Sequence, residues 1–229
     1  MKKFLAILAL LLPLAAHSAT VEVGAGVARA SVRQDGTWYQ DRFQHTIKDK
    51  SPAFLVGVTG DFTPNLSWHL DGVYLGKYSV DSQDTPADAN YLPTSPTGCN
   101  GPCLPMAHYM TSGEVYGITP TLDVHTSGEW RVGLEAGPLW YYRTWSVVVP
   151  NWYPTIQTGP SSFIAGQISP INVSDSGWAL GSMIGIYVQH ERVGVHLNYY
   201  SDGAQLNRAG GGWPPIWSGQ FVGLITLAF

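Results

Sequence analysis

The sequence predicts an all-β protein, an eight-stranded antiparallel up-and-down transmembrane β-barrel, and three observations carry that reading. Charged residues make up only 12% of the 229-residue chain, which holds 26 Gly, 9 Trp and 12 Tyr; ordinary soluble domains carry roughly 25% charged residues. Beyond an apolar leader there is no helical periodicity and no run of about 18 apolar residues, so no helix is available to cross a bilayer. Eight stretches instead alternate apolar and polar side chains, the clearest with aromatic rings at both ends of the apolar stripe. A chain that spans lipid without helices must close its sheet, because hydrocarbon offers no water to an unpaired strand edge.

The leader comes first. Lys2 and Lys3, the apolar run Phe4 to Leu14 and the small-residue region Ala16-His17-Ser18-Ala19 read as an export signal. Residues 1–19 are expected to be removed, leaving 20–229 as one barrel domain. Without Lys2 and Lys3 the basic count is 12 − 2 = 10 against 16 acidic residues, a net charge of 10 − 16 = −6 with histidines neutral. A nucleic-acid partner is not expected at that charge.

The predicted strands then follow in order. Val21 to Arg33 and Ala53 to Phe62 are Gly-rich with weak alternation. Leu66 to Tyr78 sets Leu66, Trp68, Leu70, Gly72, Tyr74 and Tyr78 against His69, Asp71 and Lys77. Glu114 to His125 is again weak. Trp130 to Trp145 places Trp130, Val132, Leu134, Ala136, Pro138, Trp140 and Tyr142 on one face, opposite Arg131, Glu135, Tyr141 and Arg143. Gly177 to Gln189 and Val193 to Ser201 complete the middle, and Trp217 to Phe229 closes with Phe221, Gly223, Ile225, Leu227 and Phe229 on its apolar face. In a membrane barrel these apolar faces point outward and the polar faces inward. Rings near both ends of a stripe favour that orientation over a soluble sandwich, because amphipathic rings settle at headgroup level.

Connections alternate in length. Thr63-Pro64-Asn65, Thr126 to Glu129 and His190-Glu191-Arg192 are short; Gln34 to Pro52, Val80 to Gly113, Ser146 to Ser176 and Asp202 to Ile216 are long. Short periplasmic turns and long outer loops are the habit of outer-membrane barrels, and an even strand number puts both termini in the periplasm.

The opening Val23-Gly24-Ala25-Gly26-Val27 and the ending Phe221-Val222-Gly223-Leu224-Ile225-Thr226-Leu227-Ala228-Phe229 resemble the small eight-stranded outer-membrane barrels of Gram-negative bacteria, a superfamily that includes adhesion and opacity proteins. The resemblance implies that Phe221, Ile225, Leu227 and Phe229 are read by the barrel-assembly machinery, and that the barrel contacts outer-membrane lipid and lipopolysaccharide.

Four groups of residues are candidates for chemistry. Cys99 and Cys103, in an exported chain, read as a disulfide pinning a loop tip; a metal site with His108 is the weaker alternative because its ligand set is incomplete. His69, Asp71, Lys77, Glu114, Asp123, Arg131, Glu135 and Arg143, with Gln189 and His196, are expected to point inward as a charge network that plugs a narrow lumen, with Arg131 paired to Glu135. Tyr199-Tyr200-Ser201-Asp202 stands where the lipid A deacylase family, which it resembles in position, carries a His-x-Ser-Asn motif. Tyr199 replaces the histidine there, however, and His196 and Ser201 differ in parity, so they fall on opposite faces of a strand. Finally Trp38, Tyr39, Tyr91, Trp152, Tyr153 and Trp213 crowd the outer loops, as rings that serve recognition or pack the loops together.

The function expected from these features is non-enzymatic display of loops at the cell surface, for contact with a host, another cell, a phage or lipopolysaccharide. A lipid A-modifying hydrolase is the alternative and a narrow solute channel the third. No cofactor, catalytic residue or metal is assigned.

Overall fold

Alternation with a period of two is satisfied by pleated strands, and a computed structural model of the chain shows them. It describes residues 19–32, 45–84, 107–150, 155–159, 162–165, 167, 170–201 and 217–229. In chain order these form β1 (Thr20–Val32), β2 (His45–Lys48), β3 (Lys50–Thr63), β4 (Leu66–Asp84), β5 (Ala107–His125), β6 (Trp130–Val149), β7 (Thr155–Gly159), β8 (Ser162–Ala165), β9 (Ile171–His190), β10 (Val193–Ser201) and β11 (Trp217–Ala228). Eight of them, in the order β4-β3-β1-β11-β10-β9-β6-β5, pair antiparallel, and β5 pairs back to β4. The eight strands therefore close into a barrel, as the sequence predicts, while above the ring β9 pairs from Ile171 to Gly181 with β6 alone. β2 carries the line of β3 onward along β4, from Lys48 opposite Ser79 to His45 opposite Ser82, and β7 and β8 form a separate hairpin.

The three short turns fall where the sequence places them. Two use a residue with positive φ, Gly128 at 129° and Glu191 at 51°. They lie at the end of the barrel that also holds the start of β1 and the end of β11, the turn end.

Several strands outrun their sequence-based bounds. β4 reaches Asp84, β5 begins at Ala107, β6 reaches Val149 and β9 begins at Ile171, so much of the expected long connections Val80 to Gly113 and Ser146 to Ser176 is strand. The bounds inferred from sequence stop where the apolar stripe stops, but backbone pairing does not depend on an apolar face and continues beyond it.

One residue alters the reading of β4. Between Tyr74 and Gly76 the register against β5 slips, with Tyr74 opposite Tyr116 and Gly76 opposite Val115. The bulge is accommodated by Gly76 at a φ of 104°, a conformation that a side chain disfavours. Before it the odd-numbered residues His69, Asp71 and Val73 are buried; after it the even-numbered Tyr78 and Val80 are, and Lys77 is exposed.

The outer surface has a sharp vertical order. Val132, Leu134, Leu122, Val124, Ile184, Ile186, Val195, Leu197 and Ile225 all stand exposed as an apolar belt. Above it Phe54, Tyr74, Tyr116, Tyr142 and Trp178 are register neighbours across five strands. Trp140 lies 4.8 Å from Trp178. At the turn end Trp130 packs on His190 with centroids 4.5 Å apart, and Phe62 lies 6.5 Å from Trp68. From Trp130 to Trp140, at roughly 3.4 Å per residue and a tilt near 40°, the belt is about 26 Å tall, the height of an outer-membrane hydrocarbon band.

Beyond the upper aromatic row the polarity inverts. The outward residues become Ser112, Glu114, Thr144, Ser146, Ser174 and Ser176, while Tyr78, Val80, Val115, Trp145, Val147 and Val149 turn inward and are buried. That segment is built for water outside and an apolar centre.

Candidate functional site in the barrel interior

Within the belt the inward face is polar in the half nearer the turn end and apolar in the other half. The apolar half includes Ala28, Ala53, Leu55, Val73, Leu75, Leu139, Tyr141, Met183, Tyr200, Val222 and Leu224. The polar half gathers four buried carboxylates, Glu22, Asp71, Asp123 and Glu135, and three buried imidazoles, His69, His125 and His196. They come from β1, β4, β5, β6 and β10, because inward positions on neighbouring strands converge on one axis.

The groups are connected. Asp123 Oδ2 accepts from His69 Nε2 at 2.6 Å, and Asp123 Oδ1 accepts from the Tyr187 hydroxyl at 3.0 Å. On the other side of the His69 ring, Nδ1 lies 3.4 Å from Glu22 Oε2. Glu22 Oε1 in turn lies 3.5 Å from His196 Nε2, which also meets the Thr226 hydroxyl at 3.1 Å. His196 Nδ1 contacts Glu135 Oε1 at 3.1 Å, and the His196 ring stacks on Tyr187 at 5.2 Å. Acids and imidazoles thus alternate along Asp123, His69, Glu22, His196 and Glu135.

Towards the turn end, Arg131 donates from both terminal nitrogens to Asp61, at 3.0 and 3.1 Å. Ser67 donates to the same carboxylate at 2.6 Å and lies 2.8 Å from His125 Nε2. Asp61 on β3 and Arg131 on β6 are separated by two strands, so their fork spans the mouth.

The structure sorts the charges expected to point inward. His69, Asp71, Asp123 and Glu135 are brought together, and His196 joins them. Arg131 is at the mouth and pairs with Asp61, not with the expected Glu135, whose buried partner is His196. Arg143 is half-buried with Nη1 unpartnered among the described residues. Gln189 is half-buried and donates to the Glu191 carbonyl at 3.0 Å. Lys77 and Glu114 do not belong to the interior: the bulge at Gly76 turns Lys77 outward, opposite Glu114 in register, and Glu114 lies on the same outward face as Tyr116. Tyr78 is flipped inward by the same slip. For Glu114 a signal existed, since 123 − 114 is odd and an unbroken strand sets Glu114 and Asp123 on opposite faces.

Sequence reasoning missed Glu22, Asp61, Ser67, His125, Tyr187 and Thr226. Glu22 was accessible to it, lying between the outward Val21 and Val23. His196 is buried, whereas Tyr199, two residues before Ser201, rests on the outward Phe221 at 4.7 Å. Phe221, Ile225, Leu227 and Phe229 are all exposed on the belt. Cys99, Cys103, Trp38, Tyr39, Tyr91, Trp152, Tyr153 and Trp213 lie outside the described residues.

No family model and no curated protein matches the chain. Among solved structures it is similar to Ail, the attachment invasion locus protein of Yersinia pestis, at 11% identity and a TM-score of 0.48, over 93% of this chain and 99% of that one. It is also similar to Neisserial surface protein A, at 13% identity and a TM-score of 0.37, over 92% of this chain and 97% of that one.

Proposed function

We propose that this chain is a non-enzymatic surface protein of the bacterial outer membrane that displays its loops for recognition or adhesion. Residues 1–19 would be removed on export, and both termini of the mature chain would stand in the periplasm. The observation that carries the reading is the inversion of polarity above the upper aromatic row, where β4, β5, β6 and β9 rise past the belt as a collar with serines and threonines outside. Strands that only had to cross lipid would need roughly 9–11 residues, whereas β6 and β9 have 20 each. The added length raises the connections above the headgroups.

Those connections hold Tyr91, Trp152 and Tyr153, and the two other long connections hold Trp38, Tyr39 and Trp213, the kind of side chain that anchors protein contacts. The partner would be a host or other cell surface, a phage or lipopolysaccharide. Assembly machinery would read Phe221, Ile225, Leu227 and Phe229 on the last strand. The buried side chains of the interior support a filled lumen over a conducting one. The hydrolase alternative lacks a pair to work with, since His196 faces inward and Ser201 is on the outward face.

Whole-cell labelling with an impermeant maleimide tests the display. In a chain with both natural cysteines replaced by serine, Ser174→Cys should label on intact cells and Thr126→Cys only after the outer membrane is opened. Adherence to host cells or phage adsorption should then fall when residues 85–106 are shortened while surface labelling at Ser174→Cys persists. A change in lipid A mass that depends on the chain would overturn the non-enzymatic reading.

A further inference from the structure

We propose that the interior of the barrel holds a divalent transition-metal site of the zinc type, formed by Glu22, His69 and Asp71. A donor atom from each lies within 4.8 Å of those of the other two, and all three residues are buried. Glu22 Oε2 and His69 Nδ1 are 3.4 Å apart, about the edge of a tetrahedron around an ion with bonds of roughly 2.1 Å.

Three features of the surroundings point to a cation. The first is Asp71 Oδ1, which is buried and has no hydrogen-bond partner among the described residues; such an orphan asks for an ion or an ordered water. It leans over Gly57, which lies between Glu22 and Asp71 in register, and a Cβ at Gly57 would collide with it. The missing side chain is what lets the two carboxylates approach across β3.

The second is the tautomer of His69. Its Nε2 lies 2.6 Å from Asp123 Oδ2, and because an ionised carboxylate only accepts, that nitrogen carries the proton and the Nδ1 side faces the Glu22 carboxylate. Two electron-rich atoms at that distance need positive charge between them, a second proton or a metal. A ring that donates one nitrogen to a carboxylate and offers the other to an ion is the usual support of a metal-bound histidine.

The third is charge. Four buried carboxylates, Glu22, Asp71, Asp123 and Glu135, share this half of the interior with three imidazoles. Among the described residues none of the four pairs with a lysine or arginine, the nearby Arg131 being engaged by Asp61. A divalent ion offsets the deficit, and one imidazole with two carboxylates suits a first-row ion better than calcium or magnesium. The way in lies at the turn end, where Asp61 and Arg131 keep 40% and 36% of their side-chain surface exposed.

The test uses the untagged mature chain, refolded in detergent and titrated with Zn²⁺ alone. One ion per chain should be retained after desalting. Asp123→Asn should weaken binding about 10- to 100-fold, Asp71→Asn at least as much, and Glu129→Gln, an exposed acid in a turn, should leave it unchanged. X-ray absorption of the zinc-loaded unmodified protein keeps the proposal testable if a variant fails to refold. It should show only nitrogen and oxygen at about 2.0–2.2 Å, with no sulfur near 2.3 Å. A sulfur shell would assign the ion to Cys99 and Cys103 and overturn the site. So would failure to retain zinc, the outcome if a proton alone lies between Glu22 and His69, or undiminished binding by refolded Asp71→Asn.

Discussion

Glu135 and Asp61 both pair with a cationic or imidazole side chain across the interior, but their surroundings give them different weights. Glu135 is 3% exposed and its partner His196 4%, so truncation leaves Nδ1 of a buried ring without its acceptor. Glu135→Ala should cost about 3–5 kcal/mol. Asp61→Ala breaks a two-pronged contact with Arg131, yet both side chains are more than a third exposed and water replaces what is lost; about 0.2–1 kcal/mol is expected. Urea unfolding from lipid vesicles, followed by tryptophan fluorescence, measures both, and equal losses would contradict the burial argument. The difference was not legible in the sequence. Parity told which residues share a face, and so found His69, Asp71, Asp123 and Glu135. It does not say how high along the axis two residues of distant strands meet, which is why it offers Glu135 rather than Asp61 as the partner of Arg131.

At the scale of elements, β4 shows both how much alternation reveals and where it fails. His69 and Asp71 were readable because the strand is regular there. Alternation misplaces Lys77 and Tyr78 because a single extra residue reverses every face after it, and a glycine within a Gly-rich chain does not announce a bulge. Gly76→Ala should therefore destabilise by about 1–3 kcal/mol, from backbone strain at positive φ and from collision with the Ser51 side chain. Gly72→Ala, four residues earlier on the same strand, meets nothing closer than 3.5 Å and should change stability by less than about 0.5 kcal/mol. The same unfolding assay compares them, and a neutral Gly76→Ala would mean that the register slip is not fixed by that residue.

For the whole molecule the decisive quantity is the height of the lipid-facing band. Leu134 is 66% exposed midway between the Trp130 and Trp140 levels, so Leu134→Arg should cost about 2–4 kcal/mol of folding free energy in vesicles. Ser174→Arg, above the upper aromatic row and opposite Ser146, should cost close to nothing. If both were tolerated equally, the belt would not face hydrocarbon. Closure, strand number and the outward aromatic rings were all legible beforehand, since lipid leaves few ways to satisfy a backbone. The collar was not, because its serines and threonines look like loop when the eye follows only hydrophobic stripes.

The collar also has an interior of its own. Its valines, with Trp145 and Tyr78, bury their side chains above the lipid-facing band, so a polar replacement such as Val147→Asp would forfeit contacts that no lipid tail can replace.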